Sequence, residues 1–299
     1  MKVLYCDCFS GISGDMFLAA MLDAGLAPQY LSAELAKLNL PEFKSVQVQP
    51  VMKGAMRASL LDFDLDDANV PHNHGDAHTH EHLHTHEEHE HKHEHTHEHP
   101  HDHEHTHDHE HTHEHEHDHD HEHEHDHAHG MHRHYSDIKS MISASTLSEP
   151  VKETALLIFK CLAEAEARVH GMEVDNVTFH EVGAVDSILD IVGAAVALDY
   201  FKIEKLFASA LPLGSGTVKT QHGLLPLPAP ATLELLKQCK AKVIPSPTQK
   251  ELVTPTGAAI LAALATFEQP GMRLQHLGIG AGHADLPWPN ILRLVFGEL

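Results

Sequence analysis

The sequence predicts an α/β protein of mixed helices and strands, interrupted by a long, disordered, histidine-rich insertion. Three observations point there. Short runs dense in β-formers, such as KVLYCDC at residues 2–8 and NILRLVF at 290–296, have the length of strands. Between such runs, apolar residues recur at helical spacing, and helices and strands alternate along the chain. Residues 72–134 then carry 30 of the 35 histidines with almost nothing apolar.

Taking the elements in order, KVLYCDC is the first strand and Gly11 to Gly14 form a tight loop. A helix follows from Asp15 to Ala24, ended by Gly25, and another spans residues 28–38. SVQVQPVM and RASLLDFDL alternate apolar and polar residues as a strand pair does. These make residues 1–69 an N-terminal α/β unit. Residues 70–134 are His-Glu, His-Asp and His-Thr repeats in which Leu83 and Met131 are the sizeable apolar residues. Such a segment cannot bury enough surface to offset ordering entropy, so disorder is expected. Residues 135–299 form the α/β core region. Ser148 is placed as an N-cap, and Val151, Ala155, Ile158, Leu162, Ala165 and Val169 recur at 4-3-4-3-4 spacing up to Gly171. That predicts one long helix buried along a stripe. From Asp186 to Tyr200 the chain is apolar nearly all round, as in a core helix. LFASALPLG and GTVKT-QHG-LLPLP read as strands with a turn at Gln221 to Gly223. Pro230 starts a helix, Thr256 and Gly257 begin an Ala-rich one, GIGAG at 278–282 reads as a loop, and NILRLVF is the last strand.

Composition bounds the function. The formal charge is −24, but residues 72–134 hold 18 of the 44 acids against Lys92 and Arg133, which accounts for −16 and leaves −8 for the rest. Nothing basic invites a nucleic acid. No apolar run reaches the ~18 residues of a membrane span, and the N-terminus lacks a signal-peptide pattern. Four cysteines in 299 residues do not make a disulfide framework, so a soluble, cytoplasmic chain is expected.

The repeated His-x-His pattern is an array of imidazoles, with His84, His86, His103, His105, His117 and His119 as representative ligands. Neutral imidazoles bind nickel, copper, zinc or cobalt, and the interleaved acids keep the array soluble. A flexible, many-site tract suits buffering or delivery; the chemistry is expected elsewhere. The strongest candidate is FHEVGAVDSILD. Asp186 and Asp190 are i and i+4, on one helical face, with His180 and Glu181 just upstream. Two carboxylates in an apolar helix need a metal, a cationic partner or a mouth open to water. Ion pairs to Lys152, Lys160 or Arg168 would explain them equally well. In DCFSGISGD, Ser10, Gly11, Ser13 and Gly14 read either as a phosphate cradle at a helix start or as a tight turn. Asp7 and Asp15 flank that loop and suit a cation. Thr256 and Gly257 offer a second anion-binding helix start. Cys6 and Cys8 share a strand face, as buried residues or soft metal ligands. His170 suits a helix C-terminus, His222 an exposed turn, and His276 and His283 frame GIGAG without an evident partner.

DCFSGISGDM, FHEVGAVDSILDIVGAA, LPLGSGTVKTQHGLLPLPAPAT and ELVTPTGAAIL, in this order, closely resemble the LarC family of nickel-insertion proteins. The resemblance covers the chain outside the histidine tract. It implies insertion of Ni2+ into pyridinium-3,5-bisthiocarboxylic acid mononucleotide, a CTP-dependent step that forms a carbon–nickel bond. The product would serve lactate racemase-type enzymes, whose apoenzyme is then an expected partner, and Mg2+ or Mn2+ is a further candidate cofactor. It also implies a C-terminal domain associated with CTP beyond residue 299. Where family members often read HFHEVG, this chain has Thr178, so a ligand at that position would be lost. A nickel-storage or metallochaperone protein without catalysis is the alternative from another class, and a metal-dependent hydrolase a third.

Overall fold

The computed structural model describes residues 1–66, 133–179, 184–220 and 222–299. The expected disorder of the histidine tract and its six representative ligands therefore lie outside the described residues.

β1 (Lys2–Asp7) buries Val3, Leu4 and Cys6, so both its faces are covered, as befits a central strand. A loop leads to α1 (Gly14–Asp23), which Gly25 ends at φ +110°. α2 (Pro28–Leu35) continues as a 3-10 turn at Ala36–Leu38. β2 (Phe43–Lys53) and β3 (Met56–Leu65) form the expected antiparallel pair. Beyond the tract come β4 (Arg133–His134) and α3 (Tyr135–Ala144), then α4 (Glu149–His170), β5 (Thr178–Phe179) and α5 (Val185–Phe201). Next are β6 (Lys205–Ala208), β7 (Leu211–Leu213), the hairpin of β8 (Thr217–Thr220) and β9 (Gly223–Pro226), and α6 (Pro230–Gln238). β10 (Val243–Pro245), α7 (Pro255–Leu264), β11 (Ala265–Thr266), β12 (Arg273–Ala281) and β13 (Ile291–Glu298) complete the fold.

The fold is α/β. One mixed sheet runs β11-β6-β1-β13-β12-β3-β2, with β1 parallel to β6 and antiparallel to β13. Segments on both sides of the tract thus share one sheet. The two ends of residues 67–132 are held at one residue: the Asp66 N–H donates to the Glu42 carbonyl at 2.7 Å, and Arg133 pairs with the buried Glu42 carboxylate at 2.7 Å. α1 lies on β12, β3 and β13, and α5 packs against α1, α2, α4 and α7. The main core fills the space between them, with Phe17, Leu18, Phe159, Ile188 and Ile260 fully buried.

Three expectations need correction. GIGAG is not a loop: four of its five residues belong to β12, in the interior of the sheet. Its glycines are there because α1 presses on the strand. A Cβ at Gly278 would lie 2.0 Å from the Ala20 carbonyl oxygen, and one at Gly280 2.0 Å from that of Met16. The stripe of α4 stops early, since Val169 is 40% exposed. The helix's last turn overhangs its neighbours, with residues 168–173 exposed or half-exposed and Gly171 closing it at φ +64°. Finally, α7 begins before Thr256. Thr254 is its N-cap, accepting from the Gly257 N–H at 3.3 Å, whereas Ser148 holds the N-cap position of α4 without a capping bond.

Candidate functional site

The loop between β1 and α1 is zipped to the segment that enters α7. The Ile12 N–H donates to the Leu252 carbonyl at 2.8 Å, and the Thr254 N–H returns to the Ile12 carbonyl at 3.1 Å. Gly11 makes this approach possible: at φ +92°, a Cβ would sit 1.8 Å from the Leu252 oxygen. The N-termini of α1 and α7 therefore stand side by side, and the packing of α5 against both brings its N-terminal turns, with Asp186 and Asp190, to the same place. A cleft of about 400 Å³ opens there. Ser13, Asp15, Asp186, Ser187, Asp190, Thr254 and Thr256 form its polar wall, while Leu61, Phe63 and Leu65 of β3 form an apolar one.

Asp190 is the innermost acid. It is 8% exposed, and its Oδ1 has no hydrogen-bond partner among the described residues. Burial raises its pKa well above the usual carboxylate range, helped by the charges of Asp15 and Asp186, with the Thr256 hydroxyl and the Asp15 backbone N–H opposing. Gly14 lies directly against it, since a Cβ there would meet the Asp190 carboxyl at 2.4 Å. Asp186 occupies the first turn of α5, at the mouth of the cleft. It is open to solvent on one side but crowded by protein on the others, and that desolvation raises its pKa while the Ser187 N–H, donating at 2.8 Å, resists. The first turns of α1 and α5 each place a carboxylate where the helix dipole favours it.

His283 is the basic side chain among the described residues that line the cleft. Its Nδ1 lies 3.0 Å from Asp15 and its Nε2 2.9 Å from Asp62. Those two bonds raise its pKa to about 9, against the opposing effect of partial burial, so at neutral pH it is an imidazolium donating to both carboxylates. The sequence pattern shows neither Asp62 nor Phe63 as a site residue, because both read as ordinary members of an alternating strand. His283 lacked a partner in sequence because Asp15 and Asp62 are more than two hundred positions away.

The other expectations divide. The structure brings Ser13, Asp15, Asp186, Asp190 and Thr256 into one cleft; Gly14 and Gly257 back onto it through close contacts with Asp190 and the Ile12 carbonyl. The Gly14 N–H, which a phosphate would need, is already bonded to the Thr256 hydroxyl at 3.1 Å. Ser10 faces elsewhere, accepting from the Trp288 indole at 3.0 Å and donating to Asn290 at 3.2 Å. Asp7 is paired with Arg293. Lys152, Lys160 and Arg168 are paired with Glu149, Glu164 and Glu234, so the ion pairs weighed for Asp186 and Asp190 are made elsewhere. Cys6 and Cys8 are fully buried free thiols whose pKa burial pushes up, which suits core residues. His170 pairs with Glu166 at 3.4 Å and stacks near His222, ring centroids 5.0 Å apart. His276 stacks on Phe296 at 4.2 Å. Thr178 bonds to His134 at 2.9 Å. His180 and Glu181 lie outside the described residues. Among the described residues, no three His, Cys, Asp or Glu side chains converge to hold a metal ion, and no helix is long and apolar enough to cross a membrane.

The model of a family described as nickel insertion protein matches residues 4–298. The chain belongs to that family. Its relatives include a protein of Geotalea daltonii, provisionally named a nickel insertion protein, which is 42% identical over all of this chain and 61% of its own length. Proteins of Geobacillus kaustophilus (39% identical, all of this chain, 60% of theirs) and Desulfitobacterium hafniense (40%, all of this chain, 59% of theirs) bear the name pyridinium-3,5-bisthiocarboxylic acid mononucleotide nickel insertion protein. The chain thus spans about three-fifths of the length of the curated relatives it matches. No solved structure matches it.

Proposed function

We propose that the chain inserts nickel into pyridinium-3,5-bisthiocarboxylic acid mononucleotide, as a chelatase of the lyase class, and that the cleft between α1, α5, α7 and β3 is where it does so. The observation that carries the placement is the buried Asp190 Oδ1, without a hydrogen-bond partner among the described residues, beside Asp186 and Asp15. Such a group is costly unless a ligand compensates it. Asp186 and Asp190, with His180 and Glu181 just upstream, hold the incoming Ni2+ and carry the insertion. Sulfur donors of the mononucleotide finish the coordination, so the ion can leave with its product. Ser13 and Thr256 supply hydroxyls to the same space, and the histidine tract, through residues such as His84, His103 and His117, supplies nickel.

The names of the Geobacillus and Desulfitobacterium relatives support this substrate. CTP dependence, a Mg2+ or Mn2+ requirement, a C-terminal LarC-type domain as partner and delivery of the product to lactate racemase belong to the same proposal. The test is to incubate the purified chain with Ni2+, the mononucleotide and CTP, with and without a supplied C-terminal domain, and to follow the metallated product by mass spectrometry. Product formation that Asp190→Asn and Asp186→Asn abolish, with bulk nickel uptake unchanged, supports the proposal. Nickel retention without product in either mixture would instead establish storage.

A further inference from the structure

The two walls of the cleft differ in chemistry. One carries Asp15, Asp186 and Asp190 on the helices; the other is the strip Leu61, Phe63 and Leu65 on β3, with Phe63 the aromatic ring among the described lining residues, and Asp62, which His283 ties to Asp15, at its side. Phe63 is half-buried, and Phe43 meets it edge-on at a centroid distance of 6.4 Å, which limits its tilt. A flat ligand with an apolar face and a positive charge would satisfy both walls at once. An aromatic face attracts a cation, and the opposing carboxylates, including the buried Asp190 Oδ1 that has no hydrogen-bond partner among the described residues, compensate it. Asp15 is already tied to His283, but a neutral apolar ligand would leave Asp186 and Asp190 without a positive partner, and a simple metal ion would leave the aromatic strip unused.

We infer that Phe63 is the stacking platform for a cationic heteroaromatic ring, so that the cleft selects the positively charged pyridinium form of its mononucleotide. This rests on the reading of the cleft as the insertion site. It assigns Phe63 to specificity: the ring lies on β3, while nickel held by the acids approaches the ring's substituents from the helical side.

The test measures calorimetric affinities of the 299-residue chain for two probes. One is nicotinic acid mononucleotide, a pyridinium carrying a ring carboxylate; the other is its 1,4-dihydropyridine form, which keeps ribose and phosphate but has no ring charge. Wild type should favour the pyridinium probe. Phe63→Leu should weaken that probe roughly three- to thirtyfold while barely changing the dihydropyridine, and Phe63→Trp should restore binding. The histidine tract is identical in every variant. Equal losses for both probes, or none, would overturn the platform; metallated product from the same wild-type protein would then leave the insertion reading intact. Wild type that binds neither probe and yields no metallated product would overturn both.

Discussion

Asp190 shows what a single residue can reveal about function. A carboxyl 8% exposed, with one oxygen unpartnered among the described residues, destabilises the fold whenever it is ionised. Its folded pKa lies above its unfolded one, so the penalty is absent below about pH 4, where both states are protonated, and grows as pH rises past that value. Asp190→Asn should therefore raise or preserve Tm at pH 7.5 while abolishing insertion, the usual sign of a site held at a cost to stability. A markedly lower Tm would mean the fold itself compensates the charge. His283 has the opposite sign. Its folded pKa of about 9 exceeds the unfolded value near 6.5, so its tie between Asp15 and Asp62 contributes fully below pH 6.5 and is lost as pH climbs through 9. The side chain is half exposed, which limits the contribution to at most about 1 kcal/mol. Urea midpoints from pH 6 to 10 should converge for wild type and His283→Gln at the alkaline end; parallel curves would rule out the tie.

At the scale of elements, the contact between α1 and β12 decides where the site stands. Gly278 and Gly280 let the helix backbone reach the strand, and that depth places Asp15 within reach of His283 and Gly14 against Asp190. Gly280→Ala should cost about 1–3 kcal/mol or more, because the obstruction is main chain that cannot rotate away, and should lower insertion as well. Gly271→Ala, with open space around it, should stay within about 0.5 kcal/mol of wild type. Equal urea midpoints for the two variants would refute the close-packing account. Here the sequence misleads, since glycines that serve packing look like loop glycines in a one-dimensional pattern.

At the scale of the molecule, the sheet gathers strands from both ends of the chain, and Glu42 holds both ends of the insertion. Arg133→Met would leave a 1% exposed Glu42 side chain without its cation, at a cost of about 3–5 kcal/mol in urea unfolding; a loss under 1 kcal/mol would show that Glu42 is held by other means. Because Arg133 belongs to the fold, a tract deletion should stop at residue 132. Replacing residues 72–132 by a short linker should lower the number of nickel ions bound, read by metal analysis, and spare insertion at saturating nickel. Loss of insertion at every nickel concentration would reject the proposed role of the tract as a supply.

By itself the sequence determined the class of the fold, most helices and strands, the imidazole array and the family, because these rest on local periodicity, composition and contiguous motifs. It also singled out Asp186 and Asp190, since charge inside an apolar helix is visible without coordinates. Only the tertiary structure decided which neighbours those acids have. The zipper between Ile12 and Leu252–Thr254, the seat of α1 on β12 and the partners of His283 join residues more than two hundred positions apart. No local pattern encodes such a distance; close packing of backbone on backbone does.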